Sequence, residues 1–246
     1  MFLVLLVSLY TTRIVLNALG VVDYGIYNVV AGFVSMFAFL NTSMSNAIQR
    51  FFNYTLGSEG EVSLTGVYNM ALLIQLLLAG VVFFLLETVG LWYLNEKMLI
   101  PDDRMITAKW IYQFSVISLF FVVVQIPYSA AIMAHERMDY YAYVSILDVA
   151  LKLGFALWLP YVVVDKLIVY GLYSLGVTIL NFLLYFIYAK RQFKEITLQR
   201  GFHRELFKKM LGHDSPEPKE AFVEEFKTYI EKFGHIRDYA INIEGE

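Results

Sequence analysis

The chain has 246 residues, 59% of them apolar and 17% aromatic, with a mean hydropathy of +0.58 and a formal net charge of −3. Several apolar runs reach the roughly 20 residues that cross a bilayer, which excludes an ordinary water-soluble domain, and they are too continuous for the alternation of a membrane β-barrel. Zero cysteines exclude disulfides and thiolate metal sites, and His135, His203, His213 and His235 lack metal-ligand spacing.

The expected fold is therefore all-α, a polytopic membrane bundle of about six transmembrane helices with a short amphipathic C-terminal helix. In chain order the spans are placed at residues 1–19, 26–48, 67–94, 110–134, 140–164 and 167–189. The N-terminus has no basic lead and no clear cleavage site, so it reads as a first span and not as a signal peptide. Gly20 closes that span, and a short turn over 21–25 leads to the second. A polar connector at 57–66 precedes the third span, which holds Glu87, expected near the interface. IPDDR (residues 100–104) is a turn by its proline and paired aspartates, which read as solvated turn residues and not as metal ligands. Pro127 lies inside the fourth span and should kink it. HERMD (residues 135–139) links the fourth and fifth spans.

The charge is split. Residues 1–211 carry 15 basic and 13 acidic side chains, whereas residues 212–246 carry 4 and 9. The first part is expected to be the transmembrane lobe. The second is expected to be an acidic cytoplasmic tail, a breaker-rich linker followed by a helix with Phe222, Phe226, Tyr229, Ile230 and Phe233 on one face. Positive charges concentrate after the sixth span and in the even-numbered connectors, which puts both termini in the cytoplasm.

Polar residues within the spans are the candidates for function. In the second span Asn28, Ala31, Ser35, Ala38, Thr42, Ser45 and Gln49 recur at steps of three and four, one stripe of small and polar side chains on a helix. Such a stripe serves helix packing or lines a wet interior. Arg13 and Asn17 share one face of the first span, and Arg50 lies with Asn46 and Asn53 at the end of the second. Guanidinium groups bind phosphate bidentately and amides bind sugar hydroxyls, so these groups suit an anionic, hydroxylated headgroup; the alternative is snorkelling to lipid phosphates. Span five carries Tyr141, Ser145, Asp148 and Lys152. Asp148 and Lys152 are spaced i,i+4, either a self-neutralising pair or a substrate contact with an ion-coupling carboxylate. Span six repeats the stripe with Tyr170, Ser174, Thr178, Asn181, Tyr185 and Tyr188, and span four offers Ser118, Gln125 and Ser129. No Gly-rich phosphate loop, GxSxG or HExxH sequence is present, so no enzymatic activity, cofactor or metal is expected.

TTRIVLNALGVVDYGIYNVVAGFV, FLNTSMSNAIQRFFNYTLG and IPYSAAIMAHERMDYYAYVSILDVALKL resemble the polysaccharide (O-antigen) flippases of the multidrug/oligosaccharidyl-lipid/polysaccharide exporter superfamily. The pattern of Arg13, Leu19, Gly20, Asp23, Tyr24, Gly25 and Tyr27 carries most of the likeness, which spans residues 1–211. The resemblance implies a transporter of lipid-diphosphate-linked oligosaccharide across the bacterial inner membrane, working by alternating access between two lobes around a cationic cavity. Arg13, Asn17, Arg50 and Lys152 are then the expected substrate contacts and Asp148 the ion-coupling group. The expected partners are the lipid-linked oligosaccharide, membrane lipids and a second lobe or polysaccharide-assembly proteins, with no nucleic acid. The family's basic lead is missing, and the acidic tail stands where a second lobe should begin, so a truncated N-terminal half is expected. Three other readings remain: a cation or drug exporter of the same superfamily, a membrane polymerase or ligase, and a non-transporting assembly fragment. The second would need a sizeable external loop, and the external connectors are short.

Overall fold

The computed structural model describes residues 2–35, 39–57, 63–98, 100–193 and 196, with side chains from residue 5 onward except 39–43 and 57. The expected tail at 212–246 lies outside the described residues, as do Ala38 and the side chain of Thr42 from the second-span stripe. The described part belongs to one compact unit, Met1–His203. It is an all-α polytopic helical bundle, and five of its helical segments are long and apolar enough to cross a membrane.

Helix α1 runs Phe2–Ser35 but is broken at Gly20, which has φ 82° and ψ 168°. A straight helix would place residues 8 and 35 about 40 Å apart. Both line the same cavity, and Val15 and Tyr24 belong to the same apolar cluster, so the chain folds back at Gly20. Glycine is needed there for its backbone conformation, because nothing lies within 4 Å of the position a Cβ would take. The first span read from the sequence is thus the first arm of α1, whereas the second, 26–48, takes in the second arm as far as Ser35 and the first half of a separate helix, α2 (Phe39–Gly57).

Helix α3 (Leu64–Leu85) starts at Ser63, whose side chain accepts from the Gly66 N–H. It passes through a π-helical turn, Leu86–Gly90, into α4 (Leu91–Glu96). The Tyr112 hydroxyl donates to the Leu86 carbonyl at 2.6 Å within that turn. A Cβ on Gly90 would overlap the Tyr112 hydroxyl, so glycine admits the ring. Glu87, in the same turn, is half-buried and accepts from Gln113 Nε2 at 3.2 Å.

Helix α5 (Met105–Ala134) is the hub, packing against α1, α2, α3, α6 (Met138–Trp158) and α7 (Lys166–Gln192). Its core side chains include Ile111, Tyr112, Val116 and Ile132, all at most 1% exposed, and it runs as one helix through Pro127. Ile111 points at Gly171 of α7 (Lys166–Gln192), where a Cβ would overlap its Cδ1 atom. Helix α6 is Met138–Trp158 and ends six residues before the span read from the sequence. Pro160 explains the difference: proline has no N–H and disfavours α conformation in the residue before it, and a 3-10 turn, Leu159–Tyr161, follows instead.

Candidate functional site

Between α1, α5, α6 and α7 lies a cavity of about 480 Å³. Its walls come from polar residues placed at helical spacing. Ser8, Thr11 and Thr12 line it from the first arm of α1, and Tyr27, Ala31 and Ser35 from the second. Ser115 and Ser118 come from α5, Asp148 and Lys152 from α6, and Tyr170, Tyr173, Ser174 and Thr178 from α7. Several of these hydroxyls donate to the carbonyl one turn back, as Thr11 does to Val7 and Thr178 to Ser174. That keeps each donor satisfied in an apolar surround while leaving lone pairs for the interior.

Asp148 and Lys152 are the charged lining residues. Asp148 lies ten residues from either end of α6, about 15 Å along the axis and so near the middle of a bilayer core. Lys152 Nζ meets Asp148 Oδ2 at 2.8 Å, and Asn181 Nδ2 of α7 donates to Asp148 Oδ1 at 2.7 Å. The carboxylate is thus held on both oxygens. The side chains differ in access: Lys152 is 55% exposed and Asp148 21%. The ammonium is the more accessible end of the pair, and the carboxylate is held against α7. Tyr hydroxyls fasten α6 to α7 on either side of this contact, Tyr173 donating to the Leu151 carbonyl at 2.8 Å and Tyr140 to that of Leu184 at 2.9 Å.

The other sequence candidates lie elsewhere. Arg13 and Asn17 share a face, as their spacing requires, but that face is exposed and turned away from the Ser8–Thr11–Thr12 wall. Arg50 is exposed on α2, with Asn46 and Asn53. None of the three arginine-cluster residues Arg13, Asn17 and Arg50 lines the cavity with Lys152 and Asp148. The sixth-span stripe is more productive. Tyr170, Ser174 and Thr178 form cavity wall and Asn181 orients Asp148, while Tyr185 and Tyr188 pack on Tyr140. Of the second-span stripe, Ala31 and Ser35 reach the cavity; Asn28 is exposed and donates to the Tyr24 carbonyl. In span four Ser118 lines the cavity, whereas Ser129 donates to the Ile126 carbonyl.

Sequence reasoning missed Ser8, Thr11 and Thr12, whose i, i+3, i+4 spacing was available as a signal. It also missed an ion network at one end of the bundle. Arg104 Nη2 meets Asp23 Oδ2 at 3.1 Å and Arg104 Nη1 meets Asp165 Oδ2 at 3.0 Å. Thr107 donates to the same Asp165 oxygen, while Asp165 Oδ1 caps α7 through the Leu167 N–H.

Comparison with family models, with curated proteins and with solved structures finds no match.

Proposed function

We propose that the chain is a membrane transporter of lipid-diphosphate-linked oligosaccharide, one lobe of an alternating-access flippase, and not an enzyme. Its setting would be the bacterial inner membrane with both termini cytoplasmic, serving the assembly of cell-surface polysaccharide such as lipopolysaccharide O-antigen. The observation that carries the reading is the mid-bilayer cavity whose most accessible charged group is the Lys152 ammonium, set among hydroxyls suited to sugar and phosphate oxygens. The motif likeness around Arg13, Gly20 and Asp23 supports the same class. A volume of about 480 Å³ is in the range of small-ligand sites and suits a diphosphate with the first sugars.

In this mechanism the incoming diphosphate competes with Asp148 for Lys152. The freed carboxylate keeps its bond from Asn181 and becomes available to a proton or cation, the ion-coupling role. Arg13, Asn17 and Arg50, exposed on the outer faces, contact headgroups before entry. Rocking of two lobes about a midplane site would then change the side of access. A cation or drug exporter would be better served by an unpaired acidic lining, and here the acid is neutralised and shielded.

The test is flipping of a fluorescent polyprenyl-diphosphate glycolipid in proteoliposomes holding the chain alone or with a co-reconstituted second flippase lobe. Flipping above protein-free vesicles in the paired sample, and its loss on Lys152→Ala, is expected. No flipping in the paired sample would contradict the proposal.

A further inference from the structure

On one side the cavity wall continues into two layers, an apolar cluster built by α1, α6 and α7 and, beyond it, a charge network that adds Arg104. Along α7 the sequence runs from Asp165 through Tyr170 and Tyr173 to Ser174 and Thr178; along α6 it runs back from Asp148 and Lys152 through Phe155 and Ala156 to Leu159. The first arm of α1 goes from the cavity wall at Thr12 through Val15, and its second arm starts at Asp23 and returns to the wall at Tyr27. Arg104 immediately precedes α5, Thr107 lies in its first turn, and the helix reaches the cavity at Ser115.

The inner layer is an apolar plug. Val15, Ala156 and Leu159 are at most 1% exposed, and Phe155 stacks on Tyr173 with ring centroids 3.7 Å apart. Its aromatic members face the cavity on their other side. The outer layer is the Arg104 network. One guanidinium holds Asp23, at the start of the second arm of α1, and Asp165, in the link between α6 and α7. Asp23 and Asp165 belong to stretches that supply plug residues, Tyr24 beside the first and Val162 and Val169 around the second, and Arg104 ties the two together, so its release is a precondition for parting them. A charge network at the bundle end, and not a dry core, suits a contact that must break and reform, since water solvates the released charges.

We infer that Asp23, Arg104 and Asp165 form a latch on a gate, and that releasing it opens the Lys152 cavity to the side of the membrane that carries Asp23. The gate rests on the transport reading for its purpose, but its test needs no substrate.

The chain has no cysteine, so single thiols report access directly. Ser118→Cys places a thiol in the cavity, and Asp102→Cys, exposed beside the latch, marks the side being probed. In sealed vesicles a membrane-impermeant maleimide is applied to the side on which Asp102→Cys reacts. With the latch intact, Ser118→Cys should react slowly from that side. Adding Arg104→Ala should raise its rate at least tenfold, while Arg104→Lys should keep it within about threefold of the slow rate. If Arg104→Ala does not give a monodisperse protein, Asp23→Asn supplies the comparison, because it leaves the Arg104–Asp165 contact in place. An unchanged Ser118→Cys rate in folded Arg104→Ala or Asp23→Asn protein would overturn the gate and reduce the network to a structural staple. Gated labelling without glycolipid flipping would keep the gate and remove the flippase reading.

Discussion

Two acid–base assemblies among the described residues differ in what they connect. The Asp148–Lys152 pair lies on one helix, one turn apart, near the midpoint of α6. The Asp23–Arg104–Asp165 network lies at the end of the bundle and joins three segments far apart in sequence. The first can exchange partners by rotamer changes alone, leaving the backbone where it is. The second ties separate helices together, so it holds only while they keep their relative positions. A site that must accept and release a ligand benefits from the first kind of pairing, and a contact that reports or restrains a conformational state benefits from the second.

The largest effect that would sharpen this contrast should come from the hub that both assemblies depend on. Gly171→Leu drives a side chain into Ile111 at the α5–α7 contact and should cost roughly 3 kcal/mol or more, read as a lowered unfolding temperature in detergent. A temperature equal to that of the natural protein would show that α5 and α7 are not closely packed there.

Gly20→Ala is next. A positive φ with no steric contact makes the penalty purely conformational, about 1–3 kcal/mol, and the same assay should show a clear fall. Gly25→Ala, with ordinary helical geometry and open space, should move the temperature by a few tenths of a kcal/mol in equivalent terms, upward if at all. Equal effects at the two glycines would contradict the fold-back at Gly20.

Removing Asn181 tests the midplane assembly. Asn181→Ala deletes one charge-assisted hydrogen bond to a partly accessible carboxylate and should cost about 1 kcal/mol, with transport reduced several-fold. Arg13→Ala should be the mildest. Arg13 is exposed and has no hydrogen-bond or ion-pair partner among the described residues, so stability should change by less than about 0.5 kcal/mol. A loss of flipping in Arg13→Ala as deep as in Lys152→Ala would mean that the exposed face, not the cavity, decides recognition.

The same contrast explains what could be read from the sequence. Helical class and the run of spans follow from apolar length alone, and the polar stripe of the last span forecasts a wall because Tyr170, Ser174, Thr178 and Asn181 keep helical register. The Asp148–Lys152 pair was legible for the same reason, being local. Arg104 and Asp165 were not, because their meaning lies in a contact across 61 positions that no periodicity encodes. The arginines show the opposite limit: Arg13 and Asn17 do share a face, but spacing along one helix cannot say whether that face meets the cavity or the outside. The early end of α6 was legible in Pro160 and was outweighed by the apolar run that continues past it.

The most direct test of the account is where the headgroup binds. A photoactivatable polyprenyl-diphosphate sugar, crosslinked to the purified chain in lipid nanodiscs and mapped by mass spectrometry, should mark cavity residues such as Ser118 and Thr178, and Lys152→Ala should abolish those crosslinks while leaving the fold intact. Crosslinks confined to the surfaces around Arg13 and Arg50, unchanged by Lys152→Ala, would contradict it.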